Sequence, residues 1–357
     1  MSRGYSLHRS GVFSSPEPAN VLIVDDSVVA RTVIARMIEA SGQFRVIGAV
    51  SDVQAALQFL QANRVDIILL DIEMPGVDGL TALPDVLAAG NGAKVLVLSS
   101  SCDEGAAATI QALALGAADT LVKPGIGAFA GKFSQILQER LGRMVAPTIE
   151  AAGPPRRNFG AAKVADDFDI VAIGASTGGI HALSHLLREI PASFQVPILV
   201  TQHLPGSFMG YFATQLAVLA GRPCEVATDC MRIRPGRLIV APGDAHMRCV
   251  RISEGTAIRL TDERVASGCM PSVDPMLSSV AQIFGSRALA IVLSGMGKDG
   301  TVGAREIAEH GGSVVVQDQK TSVVWGMPGS IFNAGHANAV LTPQEIGRLI
   351  AQRRRPA

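Results

Sequence analysis

The sequence is short of several features that would commit it to a particular class. It has five cysteines, at 102, 224, 230, 249 and 269, and no Cys-x-x-Cys pair. An odd, scattered set in 357 residues argues against a disulfide framework and fits a reducing cytosol. No apolar run approaches the roughly 18–20 residues a membrane-spanning helix needs. Charge of one sign is not in excess: 31 Lys+Arg balance 31 Asp+Glu, so nothing points to nucleic acid or to an anionic membrane surface. The first 19 residues lack the apolar stretch of a secretory signal and read as a disordered extension. Arg353-Arg354-Arg355 reads as a solvated tail. What the chain does have is apolar material, 48% of residues against 17% charged, enough for buried cores. At ~100–200 residues per domain, two or three domains are expected.

Residues 20–143 alternate short apolar runs with Ala-rich stretches of helical period. Strands are predicted at Val21–Val24, Arg45–Val50, Ile67–Leu70, Lys94–Leu98 and Thr120–Val122. Helices are predicted at Val28–Glu39, Val53–Ala62, Leu80–Ala88, Ala106–Leu115 and Phe129–Leu141. Such alternation predicts an α/β domain with a parallel sheet covered on both faces. Residues 144–166 are rich in Pro, Gly and Ala and read as a linker. From 167 to 353 the alternation resumes, with strands at Ile170–Ile173, Ile198–Thr201, Arg237–Val240, Ala288–Leu293 and Ser313–Val316. Helices are expected at Gly179–Arg188, Phe208–Ala220, Pro275–Phe284 and Thr301–His310. Met247–Ile252 and Ala257–Leu260 flank Ser-Glu-Gly-Thr, a signal for a small antiparallel hairpin. The expected fold is therefore two doubly wound parallel-sheet domains, the second larger and carrying that insertion.

In an open parallel sheet, ligands bind beyond the carboxyl ends of the strands. In the first half these ends carry Asp25-Asp26, Asp71, Ser99 and Lys123-Pro124. Three carboxylates converging on one edge repel one another and call for a hard cation; oxygen ligands suit Mg²⁺. A carboxylate beside such a cation can take a phosphoryl group, with Ser99 and Lys123 holding the transferred oxygens.

In the second half, Gly174-Ala-Ser176-Thr-Gly178 follows a strand and opens a helix. A serine on such a turn is exposed, its small neighbours admit substrate, and the helix N-terminus favours developing negative charge. Alone the pattern is weak, since Gly-rich turns after strands also bind phosphates; it lacks the G-x-G-x-x-G spacing of a dinucleotide loop. His203 follows the next strand, and Asp299 lies in Gly295-Met-Gly-Lys-Asp-Gly300 after a later one. Ser176, His203 and Asp299 can therefore meet at one sheet edge as nucleophile, base and orienting acid. Asp274 and Asp262 are rival acids, although Asp274, just before Pro275 and a helical run, reads first as a helix N-cap. The order Ser-His-Asp differs from that of α/β-hydrolases. His181 and His185 share a helix face but lack the Glu of H-E-x-x-H, so a packing role is expected. His246, His310 and His336 read as structural or exposed.

These motifs carry two resemblances. Residues 20–143 resemble a response-regulator receiver domain of the CheY type. The resemblance implies phosphorylation of Asp71 by a histidine kinase and signalling through Ser99 and Lys123. It also implies Mg²⁺ held by Asp26, Asp71 and the Glu73 backbone carbonyl, with Asp25 acting through water. Residues 168–353 resemble the catalytic domain of the CheB family of chemotaxis methylesterases. The carrying segments are Gly174–Gly179, Thr201–Pro205, Ala241–Met247, Pro271–Asp274, Leu293–Gly300 and Gly326–Pro328. This implies the triad Ser176, His203 and Asp299, oxyanion support from Met296 and Thr177, and no metal in the ester step. It further implies hydrolysis of glutamyl methyl esters on chemoreceptor cytoplasmic domains, deamidation of receptor glutamines, a kinase of the CheA type as phosphodonor and a cytoplasmic location. The sequence departs from the family at Met270, where an arginine is expected. A phosphorylation-responsive binding protein or phosphate sink with vestigial catalysis is the alternative, and a general esterase or protease a third class.

Overall fold

A computed structural model of the chain describes residues 17–99, 103–123, 130–145 and 164–353. Most of the expected N-terminal extension and linker, Pro124 and residues 354–357 lie outside the described residues.

The first unit contains β1 (Ala19–Val24), α1 (Val28–Glu39), β2 (Phe44–Val50), α2 (Val53–Ala62), β3 (Ile67–Asp71), α3 (Gly79–Ala89), β4 (Lys94–Ser99), α4 (Asp103–Leu115), β5 (Asp119–Val122) and α5 (Ala130–Val145). Its five strands are all parallel in the order β2-β1-β3-β4-β5, the flavodoxin-like doubly wound arrangement. Val21–Val24 and Ile67–Leu70 are wholly buried, as unbroken apolar runs must be in a sheet covered on both faces. Helix starts follow side-chain capping: Ser27, Asp52 and Asp78 each accept a hydrogen bond from the first turn of α1, α2 and α3.

The second unit contains β6 (Ile170–Ala175), α6 (Gly179–Arg188), β7 (Ile198–Gln202), α7 (Gly206–Ala220), β8 (Cys224–Val226), β9 (Leu238–Val240), β10 (His246–Ile252), β11 (Gly255–Thr261), α8 (Val273–Phe284), β12 (Ala288–Val292), α9 (Thr301–Glu309), β13 (Ser313–Gln317), α10 (Met327–Asn333), β14 (Ala339–Leu341) and α11 (Pro343–Ala351). Seven parallel strands run β14-β13-β12-β6-β7-β9-β8. The chain builds outward from β6 to one side, then returns to build β12, β13 and β14 on the other. The order reverses at β6/β12, and the carboxyl ends of the strands there form the crevice where such sheets bind ligands.

The antiparallel pair β10–β11 is the expected hairpin, with Ile252 opposite Gly255, so the loop is two residues, Ser253-Glu254, rather than four. Gly255 sits at φ +111°, which admits the tight reversal. The short edge strands β8 and β14 and helices α10 and α11 were not among the predicted elements. Arg353 is not solvated: it donates to Asp169 Oδ1 at 3.1 Å and lies over the Phe168 ring.

The two units meet along α4, β5 and α5 of the first and α6, α7 and the 323–325 loop of the second. One apolar cluster is continuous across them, from Ile110, Leu113 and Ala117 to Ile180, Leu183 and Phe212. Ala118 O accepts from Gly178 N–H at 3.1 Å. Ala114 O, a carbonyl freed at the end of α4, accepts from His181 Nδ1 at 3.1 Å and Ser184 Oγ at 3.4 Å. Lys94 Nζ donates to Met144 O at 2.6 Å in its own unit and to Val323 O at 2.7 Å in the other.

Candidate active site and the edge that covers it

Ser176 stands on the turn between β6 and α6. Gly178 has φ +76°, and a Cβ there would fall 2.5 Å from Val323 Cγ2; a Cβ on Gly179 would fall 2.6 Å from Ala175 Cβ. Only glycine permits a turn this tight, which accounts for the Gly-x-Ser-x-Gly-Gly spelling. Ser176 N–H donates to Ser294 O at 3.0 Å and Ser176 O accepts from Gln202 Nε2 at 2.9 Å, so the flanking loops fix its backbone.

His203 follows β7, next to β6, and Asp299 follows β12 on the opposite side of β6. His203 Nε2 lies 2.8 Å from Asp299 Oδ2. Asp299, 2% exposed, is held from several directions: Ser272 Oγ donates to Oδ1 at 2.6 Å, Val273 N–H to Oδ2 at 2.8 Å and Gly300 N–H to Oδ1 at 3.1 Å. Burial works against its charge, but the His203 bond and these donors win and lower its pKa to about 2. Burial likewise opposes charging of His203, yet the Asp299 bond and the neighbouring Cys269 raise it to about 9. With Nε2 committed to Asp299, Nδ1 is the nitrogen left for chemistry. Among the described residues no hydrogen bond joins Ser176 Oγ to His203.

The rival acid Asp274 has a different place. It lies in the first turn of α8 rather than capping it, and Oδ1 accepts from Gly303 N–H at 2.8 Å, tying α8 to α9. Burial raises it to about 6. Asp262 is exposed. Thr177 and Met296 flank Ser176, and neither backbone N–H donates among the described hydrogen bonds. A Cβ on Gly295 would lie 2.7 Å from Ser176 Cβ, which places the Met296 loop directly against the serine.

Some contributors carried no sequence signal of their own. His246, fully buried, accepts from Ser272 N–H at Nδ1 (2.9 Å) and donates from Nε2 to Glu263 O (2.9 Å). It is thus a neutral imidazole that positions Ser272, which in turn holds Asp299. Both sit inside segments singled out in the sequence, but nothing in their spacing revealed the relay. Cys269, beside His203, was also not foreseen.

The site opens into a cavity of about 250 Å³. Ser176, His203, Gln202, Cys269 and Met270 line one wall, and the other wall is Leu113, Ala117, Ala118, Asp119, Arg140 and Arg143 of the first unit. Met270, in place of the expected arginine, is 40% exposed at this rim. Arg140 and Asp119, paired at 2.6 Å, close the cavity from the first unit.

In the first unit, oxygens of Asp25, Asp26 and Asp71 all lie within 4.8 Å of one another. Asp25 and Asp71 are buried and Asp26 is exposed. Lys123 Nζ bridges Asp71 Oδ2 at 2.6 Å and Asp25 Oδ2 at 2.9 Å. Burial raises the Asp71 pKa against the pull of Lys123, and the two carboxylates raise that of Lys123 although burial opposes it. Glu73 N–H donates to Asp71 Oδ1 at 3.1 Å. Ser99 Oγ, buried at the end of β4, has no partner among the described residues. Hard oxygen donors plus an unused buried hydroxyl fit a small divalent cation and a phosphoryl group.

These features define a class: an α/β protein in which a receiver-type acidic edge is joined to a Ser-His-Asp site. Residues 171–350 match the CheB methylesterase family and residues 21–127 the response regulator receiver domain. The chain is 37% identical to a protein-glutamate methylesterase/protein-glutamine glutaminase of Azospirillum brasilense, covering 94% of this chain and 92% of that protein. It is 39% identical to protein-glutamate methylesterase/protein-glutamine glutaminase 2 of Caulobacter vibrioides, covering 94% and 99%. The CheB methylesterase catalytic domain of Thermotoga maritima superposes with a TM-score of 0.50 at 36% identity, covering 52% of this chain and 98% of that one. The chain belongs to the CheB methylesterase family. Among the described residues no helix is long and apolar enough to cross a membrane.

Proposed function

We propose that this protein is a phosphorylation-activated hydrolase that removes methyl groups from glutamate γ-methyl esters of chemoreceptors in the cytoplasm and deamidates selected receptor glutamines. The observation that carries this reading is His203, bonded to a buried and fully held Asp299, beside the Ser176 turn in a cavity whose other wall is the receiver.

Ser176 Oγ attacks the γ-carbonyl. His203 Nδ1 takes the serine proton and returns it to the departing methoxide, which leaves as methanol. Water, deprotonated by the same nitrogen, then releases glutamate and regenerates the serine. Asp299 keeps the imidazole oriented and stabilises its charged form. The Thr177 and Met296 N–H groups are the donors proposed for the developing oxyanion. An amide leaving group is poorer, so deamidation depends more on protonation by His203.

Asp71 is the proposed phosphoacceptor and a CheA-type histidine kinase the proposed donor. Asp26, Asp71 and the Glu73 carbonyl would hold Mg²⁺, with Asp25 acting through water; the ion would neutralise charge on the incoming phosphoryl group. Lys123 and Ser99 then face the phosphoryl oxygens. The link to the catalytic edge is short. β5 covers about 10 Å at ~3.3 Å per residue from Asp119, in the cavity wall, to Val122, just before Lys123. Drawing Lys123 from Asp25 toward a phosphoryl group moves the strand that directly follows Ala118, whose carbonyl holds Gly178.

The test is methanol release from tritium-methylated receptor membranes by wild type and Ser176→Ala. Release is expected to need Ser176. Receptors left overmethylated in cells carrying Ser176→Ala would agree, whereas unaltered adaptation there would favour the binding-protein alternative.

A further inference from the structure

The catalytic edge holds a side chain that ester hydrolysis does not use. Cys269 Sγ, a ring nitrogen of His203 and a carboxylate oxygen of Asp299 all lie within 4.8 Å of one another. Cys269 is partly exposed and lines the same cavity as Ser176 and His203. A thiolate and an imidazole form the donor pair that zinc selects over harder cations.

The surroundings of His203 resemble those of a metal-bound histidine. Such imidazoles donate their second ring nitrogen to a carboxylate, which fixes tautomer and orientation and strengthens the metal-facing nitrogen. His203 Nε2 already makes that bond to Asp299 Oδ2 at 2.8 Å. Asp299 is itself held by Ser272 Oγ, Val273 N–H and Gly300 N–H, so it serves as the supporting carboxylate rather than as a ligand. This leaves Nδ1 for a metal. With Zn–N of about 2.0–2.1 Å and Zn–S of about 2.3 Å, tetrahedral ligands sit about 3.6 Å apart. The loop bearing Cys269 turns at Gly268, φ +67°, and is exposed through residues 266–268; the thiol donates to Ser267 O at 3.8 Å, and metal binding would exchange that weak bond for approach to Nδ1. Ser176 Oγ, which makes no described hydrogen bond, and water would fill the remaining positions.

We propose that Zn²⁺ binds reversibly between Cys269 Sγ and His203 Nδ1 and silences the enzyme by occupying the nitrogen that must take the Ser176 proton. Binding converts the Cys269 thiol to a zinc-bound thiolate and releases its proton to solvent. The inhibition rests on the role given above to His203; the binding does not.

The test uses the full chain and two readouts. In zinc-buffered solution, methyl-ester hydrolysis by wild type and Cys269→Ser is compared, each against its own zinc-free rate. Separately, Co²⁺ is titrated in as a spectroscopic substitute and thiolate-to-cobalt charge-transfer absorption is followed. The half-inhibiting zinc concentration is expected to rise at least about tenfold in Cys269→Ser, with loss of the charge-transfer band. Cys230→Ser, at an exposed thiol elsewhere, should change neither. Should Cys269→Ser misfold, Cys269→Ala replaces it. Equal zinc sensitivity in wild type and the Cys269 variant, or a band that persists without Cys269, would overturn the proposal. A Cys269-dependent band in a protein without esterase turnover would uphold the metal site and sink the esterase reading instead.

Discussion

Lys94 offers a direct handle on the cover over the active site. Its ammonium donates to Met144 O within the receiver and to Val323 O across the interface. Only the second bond distinguishes the covered state from an opened one, because the first survives domain separation. A hydrogen bond from a charged donor contributes about 1.5–3 kcal/mol. Burial lowers the Lys94 pKa, so part of that gain offsets desolvation of the ammonium. A net of about 1–2 kcal/mol remains, a factor of about 5–30 in the balance between covered and open forms. Lys94→Met keeps the apolar stem and removes the donor. The unphosphorylated rate of methyl-ester hydrolysis should therefore rise about 5–30-fold, capped at the phosphorylated rate, which should itself change little. The assay is the initial rate with and without a small-molecule phosphodonor and Mg²⁺, with thermal unfolding followed in parallel. An unchanged basal rate in a folded Lys94→Met protein would show that the Lys94–Val323 bond does not hold the cover closed.

Other outcomes follow from the same geometry. Asp299→Asn should lower kcat by about 10⁴ while leaving the fold intact, measured on a small methyl ester. Ser272→Ala removes one donor to Asp299 and should reduce kcat about tenfold or more with little change in KM; a pure KM effect would contradict a positioning role. Because His203 is raised from 6.5 to about 9, its pairing stabilises the fold fully below pH 6.5 and is lost as pH rises through about 9; the free base that catalysis needs grows over the same window. The unphosphorylated rate should thus climb with pH up to about 9, and Asp299→Asn should shift that rise to lower pH. Asp71→Asn should keep the basal rate and lose the response to phosphodonor.

Much of this was legible in the sequence because period and punctuation agreed there. Buried parallel strands such as Val21–Val24 and Ile170–Ile173 are unbroken apolar runs, and α6 was bounded by the Gly-rich turn that also presents Ser176. His203 and Asp299 fell at strand ends, and the sheet order around β6 brought them together. Most of the missed elements are short ones whose stability comes from their surroundings: β8 and β14 are three-residue edge strands without a wholly buried face, and α10 is seven residues long. Helix α11 is different, since its Thr342–Glu345 capping box and the Ile346/Ile350 spacing are local signals that were legible. The relay from His246 through Ser272 to Asp299 joins residues 26 and 27 positions apart, which no local pattern encodes. That the receiver covers the catalytic edge is expected from the family resemblance, but which residues form the wall was invisible for the same reason: Leu113 looks in sequence like an ordinary core position of α4, and Ala117 like part of the turn that follows it.

Phosphorylation at Asp71 is proposed to uncover Ser176. The rate at which a fluorophosphonate labels Ser176 tests it most directly, measured with and without phosphodonor and Mg²⁺ in wild type and Asp71→Asn. Labelling should be faster with phosphodonor in wild type alone. A labelling rate indifferent to phosphodonor, while Asp71 is demonstrably phosphorylated, would contradict it.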